Sequence, residues 1–267
     1  MKLPFLAAAC AVIAALFLAG TPAQAATKAQ AQAHYPIKSK TLKHNKLYGT
    51  GALDNTECVE PEVESTVSSA KRYVRTFFDC LSTSWESQFE KAGMSFAKPS
   101  LRFYTSKKGL RFCGEKWGNA AGAYCWRSRQ FAVLLDKQAL RDIDDLFLLD
   151  VVAHEYGHHV QLKSGIMRAY DYEPYHSKRE ETEQTRRLEL QAECLAGAFI
   201  GSVWDSLDRS SSDWQYLLDI VAASGDETSK VKDHGKGRIQ KYWLRKGFEG
   251  ASPGSCNTWS APASRVA

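Results

Sequence analysis

The stretch His154-Glu155-Tyr156-Gly157-His158 constrains this chain more than any other. On an α-helix, residues four apart share a face, so His154 and His158 can aim both imidazoles at one metal ion. Two imidazoles at this spacing make half of a tetrahedral zinc site. Glu155 stands beside the first of them. It is placed to take a proton from a water on the metal rather than to bind the metal itself. The competing reading is two ordinary core or surface histidines, so the flanking sequence has to decide.

The flanks favour a buried helix. Leu146-Phe147-Leu148-Leu149-Asp150-Val151-Val152-Ala153 reads as apolar helical turns, and Gly165 suits a helix C-terminus. The expected helix runs from about 142 to 164, with the pentad near its middle. Tyr156 lies inside the pentad on a different face and reads as packing.

A catalytic zinc takes three protein ligands and one water. Continuing the pentad with a Gly and then a third His would need those residues at 161 and 164, where the chain has Gln161 and Ser164. A second helical pattern, about 178 to 205, offers Glu189 and Glu193, four apart on one face. One carboxylate can bind the metal, and the other can accept the free ring N–H of a ligating His. Paired Glu residues are usually a solvated face. Here Leu188, Leu190, Ala192, Leu195, Ala196 and Ala198 make the surroundings too apolar for that. His176, in the stretch between the two helices, is a rival third ligand.

Four separated segments, "VVAHEYGHHVQ", "RLELQAECLAG", "DHGKGRIQKYWLRKGF" and "CNTW", stand in this order. On these segments the chain resembles the neutral zinc metallopeptidase family of bacteria, from roughly Cys113 to Trp259 and more weakly from about Cys58. The resemblance implies an α+β, zincin-like fold, predominantly helical with a small sheet bordering the metal cleft. It implies one zinc ion held by His154, His158 and Glu189, with Glu155 as catalytic base and a peptide or protein as substrate. The family's pattern has Asp at the position of Glu193, so this chain keeps the carboxylate and adds a methylene. His234 and Arg238 fall inside the third segment. Either is a candidate to donate a hydrogen bond to the oxyanion, with His234 preferred. Two other functional classes share these features: a zinc-binding interaction protein without activity, and a zinc hydrolase of a non-peptide amide.

Export is also written into the chain. Lys2, the apolar run Leu6 to Ala19 and Ala23-Gln24-Ala25 have the form of a signal peptide over 1–25. Cys10 belongs to that leader. The six remaining cysteines, Cys58, Cys80, Cys113, Cys125, Cys194 and Cys256, are an even number behind an export signal and read as three disulfides. The shortest closures between sequence neighbours are Cys58–Cys80 and Cys113–Cys125, which leaves Cys194–Cys256 by elimination out of the 15 connectivities that six cysteines allow. The net charge of +5 is mild, and Lys and Arg are scattered. Nucleic acid is therefore not indicated, and no membrane partner is expected once the leader is cleaved.

The remaining organisation is coarser. Residues 26–50 have few large apolar groups and read as a flexible linker, 51–260 as the metallopeptidase-like domain and 261–267 as a disordered tail. Val67, Ala70, Val74, Phe77, Phe78, Leu81, Trp85 and Phe89 predict a helix within about 60 to 92 whose aromatic stripe is core. Leu101 to Tyr104 reads as a strand, and Cys113 to Cys125 as a loop or hairpin. Gln130 to Asp136 reads as a second strand. Its free edge is a candidate to pair with an extended substrate, the alternative being an interior strand. Residues 166 to 184 are expected as a loop over the cleft.

Overall fold

The computed structural model describes residues 36–230 and 232–267. The leader expected over 1–25 and residues 26–35 of the expected linker lie outside the described residues. The architecture is mostly helical, with one small three-stranded sheet.

Helix α2 (Val67–Lys91) begins at the first residue of its hydrophobic period, where Thr66 takes the cap and accepts from the Ser69 N–H. Its stripe of Tyr73, Phe77, Leu81, Trp85 and Phe89 is buried in the main core. The disulfide Cys58–Cys80 ties the extended segment before this helix to its middle. Helix α4 (Asp145–Lys163) carries the pentad. Asp144 caps it at the start, and at its end Gly165 adopts φ +80°, a left-handed conformation that favours glycine.

Strands β1 (Ser100–Tyr104), β4 (Gly122–Cys125) and β5 (Gln130–Leu134) form the sheet, in the order β1-β5-β4. β1 pairs parallel to β5, and β4 pairs antiparallel to it. The strand before the pentad helix is therefore interior, and the expectation of a free edge on it is corrected. That edge belongs to β4. Four of the five residues of β5 are buried, as suits a strand with a neighbour on each side. Asp136 ends the chain's extended course by capping the short helix α3 (Lys137–Arg141). A two-stranded hairpin, β2 (Arg111–Phe112) with β3 (Glu115–Lys116), fills the loop that Cys113–Cys125 staples.

Helix α5 (Ile166–Asp171) occupies the start of the stretch expected as a loop, and α6 (Lys178–Val203) follows, capped by Ser177. Two further helices, α7 (Ser211–Ala223) and α8 (Gly237–Gly250), complete the bundle. Glycines set how closely the helices approach. A Cβ on Gly197 would lie 2.1 Å from the Leu244 carbonyl oxygen, and one on Gly247 would lie 1.9 Å from that of Cys194. α6 and α8 thus touch backbone to backbone, and Cys194–Cys256 locks α6 to the segment after α8. At the crossing of α4 and α6, a Cβ on Gly157 would lie 2.8 Å from the Ala192 carbonyl oxygen. This contact sits between His154 and His158 on one helix and between Glu189 and Glu193 on the other.

Both expected flexible ends prove to be folded where described. Residues 36–50 form the short helix α1 (Lys40–Lys43) and a 3-10 turn at Lys46–Gly49, with Ile37, Leu42 and Leu47 buried. The three apolar residues are five apart, a spacing that matches neither helix nor strand, so no periodic signal announces them. The tail 261–267 docks too: Val266 is buried, and the Trp243 indole N–H donates to the Arg265 carbonyl. No helix among the described residues is long and apolar enough to cross a membrane.

Candidate metal centre

The Gly157–Ala192 contact brings the two i, i+4 pairs face to face. Glu189 Oε2 lies 3.5 Å from His154 Nε2 and 3.2 Å from His158 Nε2. One donor atom from each of His154, His158 and Glu189 falls within 4.8 Å of the others, a group that could hold a metal ion. Two imidazoles and one carboxylate match the donor set of an open zinc site with a fourth position left for water. The donor chemistry therefore fits the ion.

Both imidazoles are oriented from behind. His154 Nδ1 donates to Glu193 Oε2 at 2.9 Å, and His158 Nδ1 donates to Gln161 Oε1 at 2.9 Å. These bonds leave each Nε2 facing Glu189. The Gln161 amide in turn donates to the Leu188 carbonyl and to Gln191 Oε1. Gln191 then reaches the Tyr48 hydroxyl and the Cys256 carbonyl, while the Trp259 indole N–H donates to Gln191 Oε1. A chain of hydrogen bonds thus runs from His158 to the final "CNTW" segment and to the folded N-terminal stretch. Sequence reasoning missed Gln161. Its signal was present, since it lies three residues beyond His158 on the same helix.

The charges of the site are coupled. Burial pushes the Glu189 carboxyl up, but His158 and His154 outweigh it and hold it well below the usual carboxylate range. Burial likewise disfavours a charged His154, yet Glu189 and Glu193 raise its affinity for a proton well above normal. A metal cation at this place would compete with that proton. Asp150, one turn before His154, is a second residue the sequence reading passed over. It is buried, and burial followed by the nearby Glu193 pushes its carboxyl well above the ordinary range. Asp150 Oδ1 and Glu193 Oε1 are both buried without a hydrogen-bond partner.

Glu155 sits on the open side of this cluster. Together with His154, His234, Gly122 and Phe147 it lines a cleft of about 330 Å³. Strand β4 presses directly on it: a Cβ on Gly122 would lie 3.0 Å from Glu155 Cγ and 2.8 Å from Val151 Cγ1. The Leu134 N–H donates to the Ala121 carbonyl. In the alternating pattern of an antiparallel ladder, this places the N–H and C=O of Gly122 and Tyr124 on the outer edge of β4.

His234 enters the cleft from the loop before α8. Its Nε2 is 3.5 Å from Glu189 Oε2, and its Nδ1 is 2.8 Å from Asp233 Oδ1. Asp233 raises its proton affinity, against the opposing effect of burial. Its side chain is 53% exposed. The segment 235–237 is tied down by hydrogen bonds. Gly235, at φ +90°, exchanges hydrogen bonds with Asp226, and the Gly237 N–H donates to Glu227. The other candidates lie elsewhere. Arg238 is exposed and does not line the cleft. His176 is exposed outside the cluster, with its backbone N–H bonded to Glu180. Tyr156 is fully buried and donates to Ser82, in keeping with packing. The cysteine pairings are Cys58–Cys80, Cys113–Cys125 and Cys194–Cys256, as expected.

A family model described as "Putative neutral zinc metallopeptidase" matches residues 44–259. Among curated proteins, the chain is similar to "Uncharacterized protein YpfJ" of Escherichia coli K12, at 27% identity over 210 residues, covering 71% of each chain. It is also similar to "Uncharacterized protein Mb2605" of Mycobacterium bovis, at 25% identity over 248 residues, covering 78% of this chain and 80% of the other. No solved structure matches.

Proposed function

The chain belongs to the neutral zinc metallopeptidase family, and on that premise we propose that it is an exported peptidase that holds one zinc ion through His154, His158 and Glu189. The convergence of these three donors, with Glu155 beside them at the floor of an open cleft, is the observation that carries this reading. Zinc at this place supplies a Lewis acid that polarises a carbonyl and lowers the pKa of water toward about 7.

The chain's own residues do the rest. The outer edge of β4 binds an extended peptide through the backbone groups of Gly122 and Tyr124. Glu155 accepts a proton from the attacking water and delivers it to the leaving amine. His234, whose proton affinity Asp233 raises, donates a hydrogen bond to the carbonyl oxygen as negative charge builds on it. Glu193 and Gln161 hold the two imidazoles in the tautomer that leaves Nε2 free for the metal. Three disulfides are compatible with an oxidising compartment, which agrees with the leader read over 1–25.

The test is cleavage of a peptide library by the zinc-loaded protein and by Glu155→Gln. The variant is expected to keep zinc and lose cleavage. Equal cleavage by both would remove Glu155 from the reaction, and retained zinc with no cleavage by either would remove the peptidase assignment.

A further inference from the structure

A cavity of about 260 Å³ opens beside the cleft. The two share a wall: Asn119, Ala120, Ala121 and Phe147 line both. Its interior is apolar, built from Val133, Leu135 and Leu148, which are buried, together with Ile143 and Phe147. The carboxylates around it are already engaged. Asp136 caps α3, Asp144 caps α4 and accepts from Tyr216, and Asp142 accepts from Gln138. These carboxylates are held in place by neutral donors, and Lys107 stands among the lining residues with them. The volume is below the roughly 300–1,000 Å³ of a pocket for a whole small molecule, and it suits a single side chain.

Resting on the peptidase reading, we propose that this cavity is the specificity pocket of the enzyme and takes one large aliphatic or aromatic side chain of the peptide next to the bond that is cut. Its position gives a direction. β4 runs from Gly122, against Glu155, towards Cys125, and the cavity lies just before Gly122 in the chain. A peptide added antiparallel to β4, the commoner pairing, places its C-terminal part at that end. The selected residue is thus on the C-terminal side of the cleaved bond. Continuity with the cleft is what commits the pocket to substrate: whatever lies along β4 at Glu155 passes its mouth.

Two measurements on the zinc-loaded protein test this. The first is calorimetric binding of two succinic monohydroxamates, one bearing an isobutyl branch and one unbranched, to wild type, Ala139→Leu and Phe147→Ala. Ala139 lines the cavity from α3, away from the proposed catalytic groups, and a leucine there fills it. Phe147→Ala removes a wall without adding bulk. Wild type is expected to favour the branched compound by about tenfold or more, the size of effect that burying such a group produces. The preference is expected to vanish in Ala139→Leu, with affinity for the unbranched compound retained, and to shrink in Phe147→Ala. Equal affinities in wild type, or the same discrimination in all three proteins, would overturn the pocket. The second measurement is cleavage of a peptide library, expected before large apolar residues. Cleavage without that preference overturns the pocket and leaves the peptidase reading intact. Discrimination between the hydroxamates that Ala139→Leu abolishes, with no peptide cleaved, supports the pocket and defeats the peptidase reading.

Discussion

Replacing Gly157 with alanine would put a methyl group 2.8 Å from the Ala192 carbonyl oxygen and 3.0 Å from its Cα. Both atoms belong to the backbone of α6, so no side chain can rotate aside. Reaching an ordinary contact of 3.4 Å requires α4 and α6 to separate by about 0.6 Å. The helix itself would gain up to about 1 kcal/mol from the exchange of Gly for Ala. Overpacking of a close contact costs about 1–3 kcal/mol, so the net effect is a loss of up to about 2 kcal/mol. The metal should suffer more than the fold. Ligand distances at a zinc site tolerate only about 0.2 Å, and the separation falls between the helices that carry His154, His158 and Glu189. Zinc affinity is expected to fall by about tenfold or more, measured by competition with a chromophoric chelator, alongside urea denaturation. Gly49→Ala is the control, because nothing lies within 4 Å of its Cβ position. A Gly157→Ala protein with wild-type zinc affinity and undiminished stability would refute the argument that this crossing assembles the site.

Three further outcomes are expected. Glu189→Ala should strip the protein of zinc by elemental analysis, while His176→Ala should leave it unchanged; the reverse result would transfer the third ligand to His176. His234→Ala should keep zinc and fold while kcat falls by about two to three orders of magnitude, and an unchanged kcat would make His234 a surface residue. His159 is buried neutral, with Nε2 donating to the Ala97 carbonyl and Nδ1 facing the Tyr124 hydroxyl, and burial lowers its pKa from 6.5 to about 4. Between those values the unfolded chain binds the extra proton, so stability is lost as pH falls from about 6.5 to about 4, by on the order of 3 kcal/mol in full. Urea midpoints across that window should change less in His159→Gln than in wild type, and parallel curves would contradict the assignment.

Sequence alone determined what is local to one helix. The pairs His154/His158 and Glu189/Glu193 are legible because a helix converts a spacing of four into a shared face, whatever surrounds it. Its caps are local in the same way, as Gly165 shows. The disulfide partners Cys58–Cys80 and Cys113–Cys125 are close in the chain, so short loop closure found them. Tertiary structure decided everything that depends on distant residues meeting. The strand before the pentad helix is a short apolar run in the sequence, and only the pairing of β1 and β4 on its two sides makes it interior. Ile37, Leu42 and Leu47 look like isolated apolar residues in a polar stretch until the core supplies somewhere for them to go. Gln161 stands at helical spacing from His158 in the sequence, but only the fold brings its amide to Gln191, thirty positions on. Asp150 looks like an interruption in an apolar run, because the burial and the nearby Glu193 that raise its pKa come from packing against the other helix. The apolar cavity is assembled from loop, strand and two helices, so no single segment carries its pattern. Spacing along the chain encodes angles around a helix, but contact between helices depends on how closely their backbones approach, and here that is set by Gly157 against Ala192.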